Sequence, residues 1–243
     1  MTIRDQLEHI EEKQEELTQI RRTFHQHPEL GTNEHWTGEK IREYLDQWGI
    51  SYEFPVADTG IVAKLEGKKA VADNGKKGNT IGLRADIDAL PLNEDPSRTY
   101  CSKNPGVMHA CGHDAHMTIA LGTVKLLKEH EDEIEGTVKL EFQPAEEIFQ
   151  GSLDMINSGL LENPKVDAAV MFHVLAGMPL PAGMVLVPGG GITMASCEQY
   201  HIVVHGKGGH GSMPNACIDP ITAAAHIHIA LQEINSRELD AHS

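Results

Sequence analysis

Cysteine is scarce in this sequence of 243 residues: there are four, Cys101, Cys111, Cys197 and Cys217, with no Cys-x-x-Cys pair among them. A scaffold held together by disulfides is excluded in a chain this long, so each cysteine is judged by its own neighbours. Positive charge is also short. Twenty Lys and Arg stand against 36 Asp and Glu, for a net charge of -16 at pH 7. That is the wrong sign for neutralising phosphates or lying on anionic lipid, so neither nucleic acid nor a membrane surface is an expected partner. Long apolar runs are missing too. No stretch approaches the roughly 18 consecutive apolar residues a spanning helix needs, and Met1 to Glu16 is charged without an apolar signal region. A soluble, cytoplasmic protein is expected.

What remains suits a packed chain. Hydrophobic residues make up 40% and charged residues 23%, with 23 Gly and 12 Pro, neither a collagen-like nor a disordered composition. The length fits one large α/β domain, or one domain and part of a second. Apolar residues at Ile3, Leu7, Ile10, Leu17, Ile20 and Phe24 predict an amphipathic helix stopped by Pro28. A second helix is expected from Thr37 to Trp48, with Gly49 as its stop. Gly60 to Leu65 and Thr80 to Ala85 read as strands about a polar loop, Gly67 to Asn79. A helix stripe follows over Ala115 to Leu127, with Asp114 placed to cap it.

Val138, Leu140 and Phe142 alternate as a strand, and the apolar run Asp167 to Val174 reads as a parallel strand covered on both faces. Alternating strands and helices predict an α/β layer structure over the first 190 residues or so, of the α/β/α kind with a mostly parallel sheet. Gly189, Gly190 and Gly191 mark a joint, giving expected units at 1–190 and 191–243. In the second unit, Tyr200 to Val204 reads as a strand, and a helix starts at Asp219 with Pro220 in its first turn. One strand and one helix are too little to close a core.

Four segments carry chemistry. In L-R-A-D-I-D-A-L-P, Asp86 and Asp88 lie on one side of a strand end, where a cation or a His would relieve their repulsion; a solvated strand end with a capping Asp is the plainer alternative. In H-A-C-G-H-D, Cys111 and His113 flank Gly112 and can enter one pocket as metal ligands, or can simply pack and cap. In F-Q-P-A-E-E, the side chains of Glu146 and Glu147 diverge, so one can bind a metal while the other moves protons; an exposed pair is the alternative. His173, in V-M-F-H-V, is either a ligand or a satisfied core histidine.

These segments, with G-K-G-G-H-G-S-M-P, in this order closely resemble the dimetal amidohydrolases, a zinc-peptidase-like family that includes hippurate hydrolase, N-acyl-amino-acid and indoleacetyl-amino-acid hydrolases, and N-acetyldiaminopimelate deacetylase. The resemblance implies a catalytic domain followed by the start of a smaller α+β lid or dimerisation domain. It implies two divalent cations, Zn, Mn, Ni or Co, held by Cys111, His113, Glu147 and His173, with Glu146 as general base. Asp86 and Asp88 match the active-site aspartates that orient ligands, and His210 matches a histidine that reaches the substrate carbonyl, often across a homodimer. An N-acyl amino acid is the implied substrate.

Relatives in that family are longer and return to the catalytic domain with a last metal-binding histidine, so a carboxyl-terminal truncation is expected here. Neither His226 nor His242 sits in a matching motif, and that further ligand is not found. Ile148, Phe149 and Asn215 also depart from the pattern and bear on substrate choice. Two alternatives stay open: a remnant that only binds metal or dimerises, and a thiol enzyme using Cys111 as nucleophile.

Overall fold

The computed structural model describes residues 2–69, 78–191, 193–194 and 200–234. Cys197, His242 and most of the Gly- and Lys-rich loop lie outside them. The chain divides into two compact units, Met1–Met178 and Pro179–Ser243. Among the described residues, no helix is long and apolar enough to cross a membrane.

The first apolar stripe does not form one helix. α1 (Ile3–Leu7) and a 3-10 turn at Ile10–Lys13 precede α2 (Gln14–His25). α1 buries nothing, whereas α2 buries Ile20, Phe24 and His25. Periodicity alone does not sustain a helix this short; a packed face does. α3 (His35–Gln47) ends at Gly49, whose φ of 64° is the left-handed turn a helix stop requires.

The sheet is built from β1 (Ser51–Val56), β2 (Gly60–Glu66), β3 (Thr80–Asp86), β4 (Thr137–Gln143) and β5 (Ala168–Met171), in the order β1-β2-β4-β3-β5. β3 runs parallel to β4 and β5, but β2 is antiparallel to both β1 and β4. The expected α/β layering is present, and the sheet is mixed rather than mostly parallel, because a hairpin enters it at β1 and β2. α4 (His113–Glu129) and α5 (Gly151–Asn157) complete the unit. On one face, Phe24, Ile41, Leu45, Met117 and Leu121 pack against Ile61, Leu140 and Phe142, all wholly buried. Each such side chain contributes about 1.5–3 kcal/mol by leaving water.

β5 corrects one expectation. It is the last strand of the sheet, and all four of its residues are exposed. An apolar run shows that a segment fits a pleated surface, not that neighbours cover it. In the second unit, Tyr200 to Val204 is not a strand; among the described residues of this unit, an isolated antiparallel bridge joins Lys207 and Ile218. α6 (Pro220–Glu233) does form, with the Asp219 side chain accepting from Ile221 N–H and Pro220 in its first turn. No described residue of this unit is buried, as expected where one helix has no partner layer.

On the sheet, burial pushes the Glu141 carboxyl up to about 7 from an ordinary 4.5, against the pull of Arg84. The folded chain therefore keeps this proton where the unfolded chain has lost it. The stability it contributes is complete below about pH 4.5 and is lost as pH rises through about 7. Glu141→Gln is expected to raise the melting temperature at pH 8, by about 1–3 kcal/mol of stability, and to change little at pH 4. Equal melting curves at pH 8 would show that the carboxylate is not strained there.

Candidate metal centre

The carboxyl ends of the parallel strands bring the four chemical segments together. Asp86 and Gln143 are register partners at the ends of β3 and β4, and β5 lies on the other side of β3. Beyond β3, Ile87 turns into the core, while Asp86 and Asp88 both face His113. His113 Nδ1 donates to the Asp88 carbonyl at 2.8 Å and lies 3.3 Å from Asp88 Oδ1. His113 Nε2 is 3.5 Å from Asp86 Oδ2, which also pairs with Arg84 at 2.6 Å. Burial alone would push the Asp86 carboxyl up, but the hydrogen bond from His116 and the charges of His113 and Arg84 hold it below its ordinary value. The repulsion read from the sequence is relieved by these cations and imidazoles.

His113 opens α4 immediately after Gly112, whose φ is 96°. A β-carbon on Gly112 would stand 2.4 Å from Val174 Cγ2, so only glycine allows this turn between Cys111 and His113. Asp114 does not cap the helix as expected. Its side chain is buried in the first turn and accepts from Arg21 Nε at 2.9 Å and His25 Nδ1 at 2.8 Å.

Glu146 and Glu147 follow Ala145, a non-glycine residue with φ 51°. The Glu147 N–H donates to Asp88 Oδ2 at 3.0 Å. Both glutamates place a carboxylate oxygen 3.9 Å from His113 Nε2. Burial, reinforced by Glu146 and Asp88, raises the Glu147 pKa.

His173 lies past the end of β5 and is exposed, which corrects the reading of a histidine inside a buried strand. Its Nδ1 donates to the Val174 carbonyl at 2.7 Å, and its Nε2 lies 3.3 Å from Cys111 Sγ.

Among the described residues, three groups of side chains place one ligand atom each within 4.8 Å of the others: Cys111, His113 and His173; His113, Glu146 and Glu147; Asp86, His113 and His116. His113 belongs to all three. The residues fit divalent cations by two observations. His113 Nε2 and Glu147 Oε1 are buried without a hydrogen-bond partner, a costly state that a cation on those lone pairs would relieve. The donor set combines sulfur, imidazole and carboxylate, as borderline metals prefer. Burial and the neighbouring Glu147 push the Cys111 thiol up to about 12. An activated nucleophilic cysteine has the opposite shift, so a thiol enzyme finds no support here, and a thiolate at this position calls for a cation.

Sequence reasoning missed His116. Its Nδ1 donates to Asp86 Oδ1 at 2.5 Å and its Nε2 accepts from Val174 N–H at 2.9 Å, anchoring the residue next to His173. The signal was its position one helical turn after His113. A cavity of about 570 Å³ adjoins the centre, lined in part by Cys111, Tyr100, Met108, Val174 and Leu175. His210 belongs to the second compact unit, where its Nδ1 lies 2.8 Å from Ser212 Oγ.

Fold and site define an α/β protein with a thiol, imidazole and carboxylate cluster for divalent metal at the carboxyl ends of its parallel strands. Residues 82–239 match the model of Peptidase family M20/M25/M40, and the chain belongs to that family. It is 42% identical over 221 residues to an IAA-amino acid hydrolase of Arabidopsis thaliana, covering 91% of this chain and 48% of that protein. It is 39% identical over 226 residues to an N-acetylcysteine deacetylase of Bacillus subtilis, covering 93% of this chain and 56% of that one. A Bacillus subtilis crystal structure described as a dinuclear metal binding peptidase from the M20 family superposes with a TM-score of 0.61 at 39% identity, over 68% of this chain and 44% of that chain. The chain thus spans about half the length of the curated relatives it matches.

Proposed function

We propose that the protein is a metal-dependent amidohydrolase that cleaves the amide bond of N-acyl amino acids. The observation that carries this reading is that two candidate ligand groups, Cys111, His113 and His173 on one side and His113, Glu146 and Glu147 on the other, share His113. The two relatives support the substrate class, since the name of each describes an acylated amino acid. The adjoining cavity has room for a small molecule of that kind.

In this reading Cys111, His113, Glu147 and His173 hold two divalent cations, of Zn, Mn, Ni or Co type. Such ions would supply Lewis acidity, polarising the amide carbonyl and making water acidic at neutral pH. Glu146 takes a proton from the attacking water and returns it to the leaving amine as the carbon–nitrogen bond breaks. Asp88 keeps the Nδ1 proton of His113 engaged, leaving Nε2 as the ligand atom, and fixes the Glu147 backbone. Asp86 acts through His116 on the segment carrying His173. His210 supplies a donor to the carbonyl oxygen from the second unit, in a homodimer of the longer protein.

Dialysis against a chelator is expected to reduce hydrolysis of N-acetylcysteine and hippurate to background, and added Mn²⁺ or Zn²⁺ to restore it. Full activity in protein shown to be metal-free refutes the reading. A second reading, a metal-binding remnant without turnover, draws on the absence of any buried residue in the described second unit. Two cations per chain with turnover supports the hydrolase; one or none without turnover supports the remnant.

A further inference from the structure

Glu34 is wholly buried, yet it belongs to none of the metal-ligand groups. It stands at the N-cap position of α3, but its side chain makes no capping hydrogen bond there. Its carboxylate is committed elsewhere. Oε2 accepts from Thr59 Oγ at 2.7 Å, and Oε1 accepts from the Ala145 N–H at 2.8 Å, across 111 positions of sequence.

Ala145 immediately precedes Glu146 and Glu147 and holds a φ of 51°. That left-handed conformation costs a residue with a β-carbon about 1–2 kcal/mol, so the surroundings must impose it. Two buried carboxylates do so from either side. Glu34 holds the N–H of Ala145 and Asp88 holds the N–H of Glu147, so the backbone on both sides of Glu146 is pinned. The turn that carries Glu34 also approaches closely, since a β-carbon on Gly31 would stand 3.0 Å from Ala145 Cα and 3.3 Å from Asp88 Oδ2.

We propose that Glu34 is a positioning residue of the metal centre, whose buried carboxylate holds the left-handed turn at Ala145 and thereby sets the directions of Glu146 and Glu147. The proposal rests on the reading of those two side chains as base and ligand. What matters in it is reach and acceptor geometry, not charge. In Glu34→Gln the amide oxygen still accepts from Ala145 N–H, while the NH₂ donates to Thr59 Oγ. In Glu34→Asp the charge remains, but the side chain is one methylene too short.

The test combines hydrogen exchange of the backbone amides at 143–151 with calorimetric titration of metal-free protein by Mn²⁺ and Zn²⁺, and with kcat and KM. Glu34→Gln should keep exchange and affinity within about threefold of wild type. Glu34→Asp should speed exchange at Ala145 while α4 keeps its protection, weaken metal binding by about 10–100-fold, and lower kcat more than KM. Adding Ala145→Gly to Glu34→Asp should recover part of the lost affinity, because glycine adopts this turn without strain. The reverse order, with Gln impaired and Asp intact, or unchanged exchange in Glu34→Asp, overturns the proposal. Should wild type bind no metal, the functional reading fails, while the exchange rates still decide what Glu34 does.

Discussion

Glu146→Gln is expected to lower kcat by about 10²–10⁴-fold, the usual worth of a general base, with metal content per chain unchanged. The substitution keeps the size and hydrogen-bonding reach of the side chain and removes only its ability to take a proton. Metal retention is part of the expectation because the proposed ligands are separately anchored. Glu147 is tied through its N–H to Asp88, His113 through Nδ1 to the Asp88 carbonyl, and His173 through Nδ1 to the Val174 carbonyl. The Glu146 side chain is also the more exposed of the pair, at 33% against 20% for Glu147, as suits a group that must meet water and substrate. Elemental analysis beside steady-state kinetics checks both halves. A variant that loses metal in proportion to activity would make Glu146 a ligand, and one that keeps most of its turnover would move the base elsewhere.

His113→Ala should do more, because this side chain alone is shared by all three ligand groups. Both cations are expected to be lost, with activity falling to background. The metal-free protein should also be less stable by about 3–5 kcal/mol, the usual consequence of removing one partner from a buried charged cluster. Asp86 and Asp88, each 1% exposed, would then face one another without the imidazole that separates them. Asp86 would keep Arg84 and His116, so the greater loss falls on Asp88. Thermal melts in chelator separate this effect from loss of bound metal. Metal stoichiometry equal to wild type in His113→Ala would show that the cluster is not the binding site.

Much of the site was legible because its residues occupy positions where local chemistry is unusual: two aspartates one residue apart at a strand end, a cysteine and a histidine about a glycine, and two adjacent glutamates after a proline. Glu34, His25 and Asp114 were not legible. A buried acid in a helix-start sequence looks the same as a capping acid, and only the partner reached across the fold distinguishes them. Asp114 shows this directly, since it stands in the first turn of α4, two residues past the N-cap, and is taken instead by Arg21 and His25. Strand β1 escaped notice because its residues are mostly exposed and do not alternate cleanly, so β2 supplies the order that its own sequence lacks.

From the sequence alone came the α/β class, the extent of β2 to β4 and α4, the kinds of ligand atom, and the likeness to a dimetal hydrolase family, all of which depend on residue type and short-range spacing. The tertiary structure decided which groups meet: that His113 is common to every ligand group, that Asp88 ties a histidine to a glutamate, and that β5 lies at an open edge. Those outcomes depend on strand order and on which buried polar atoms find partners, and such long-range pairings are chosen by packing the whole sheet and its helices at once.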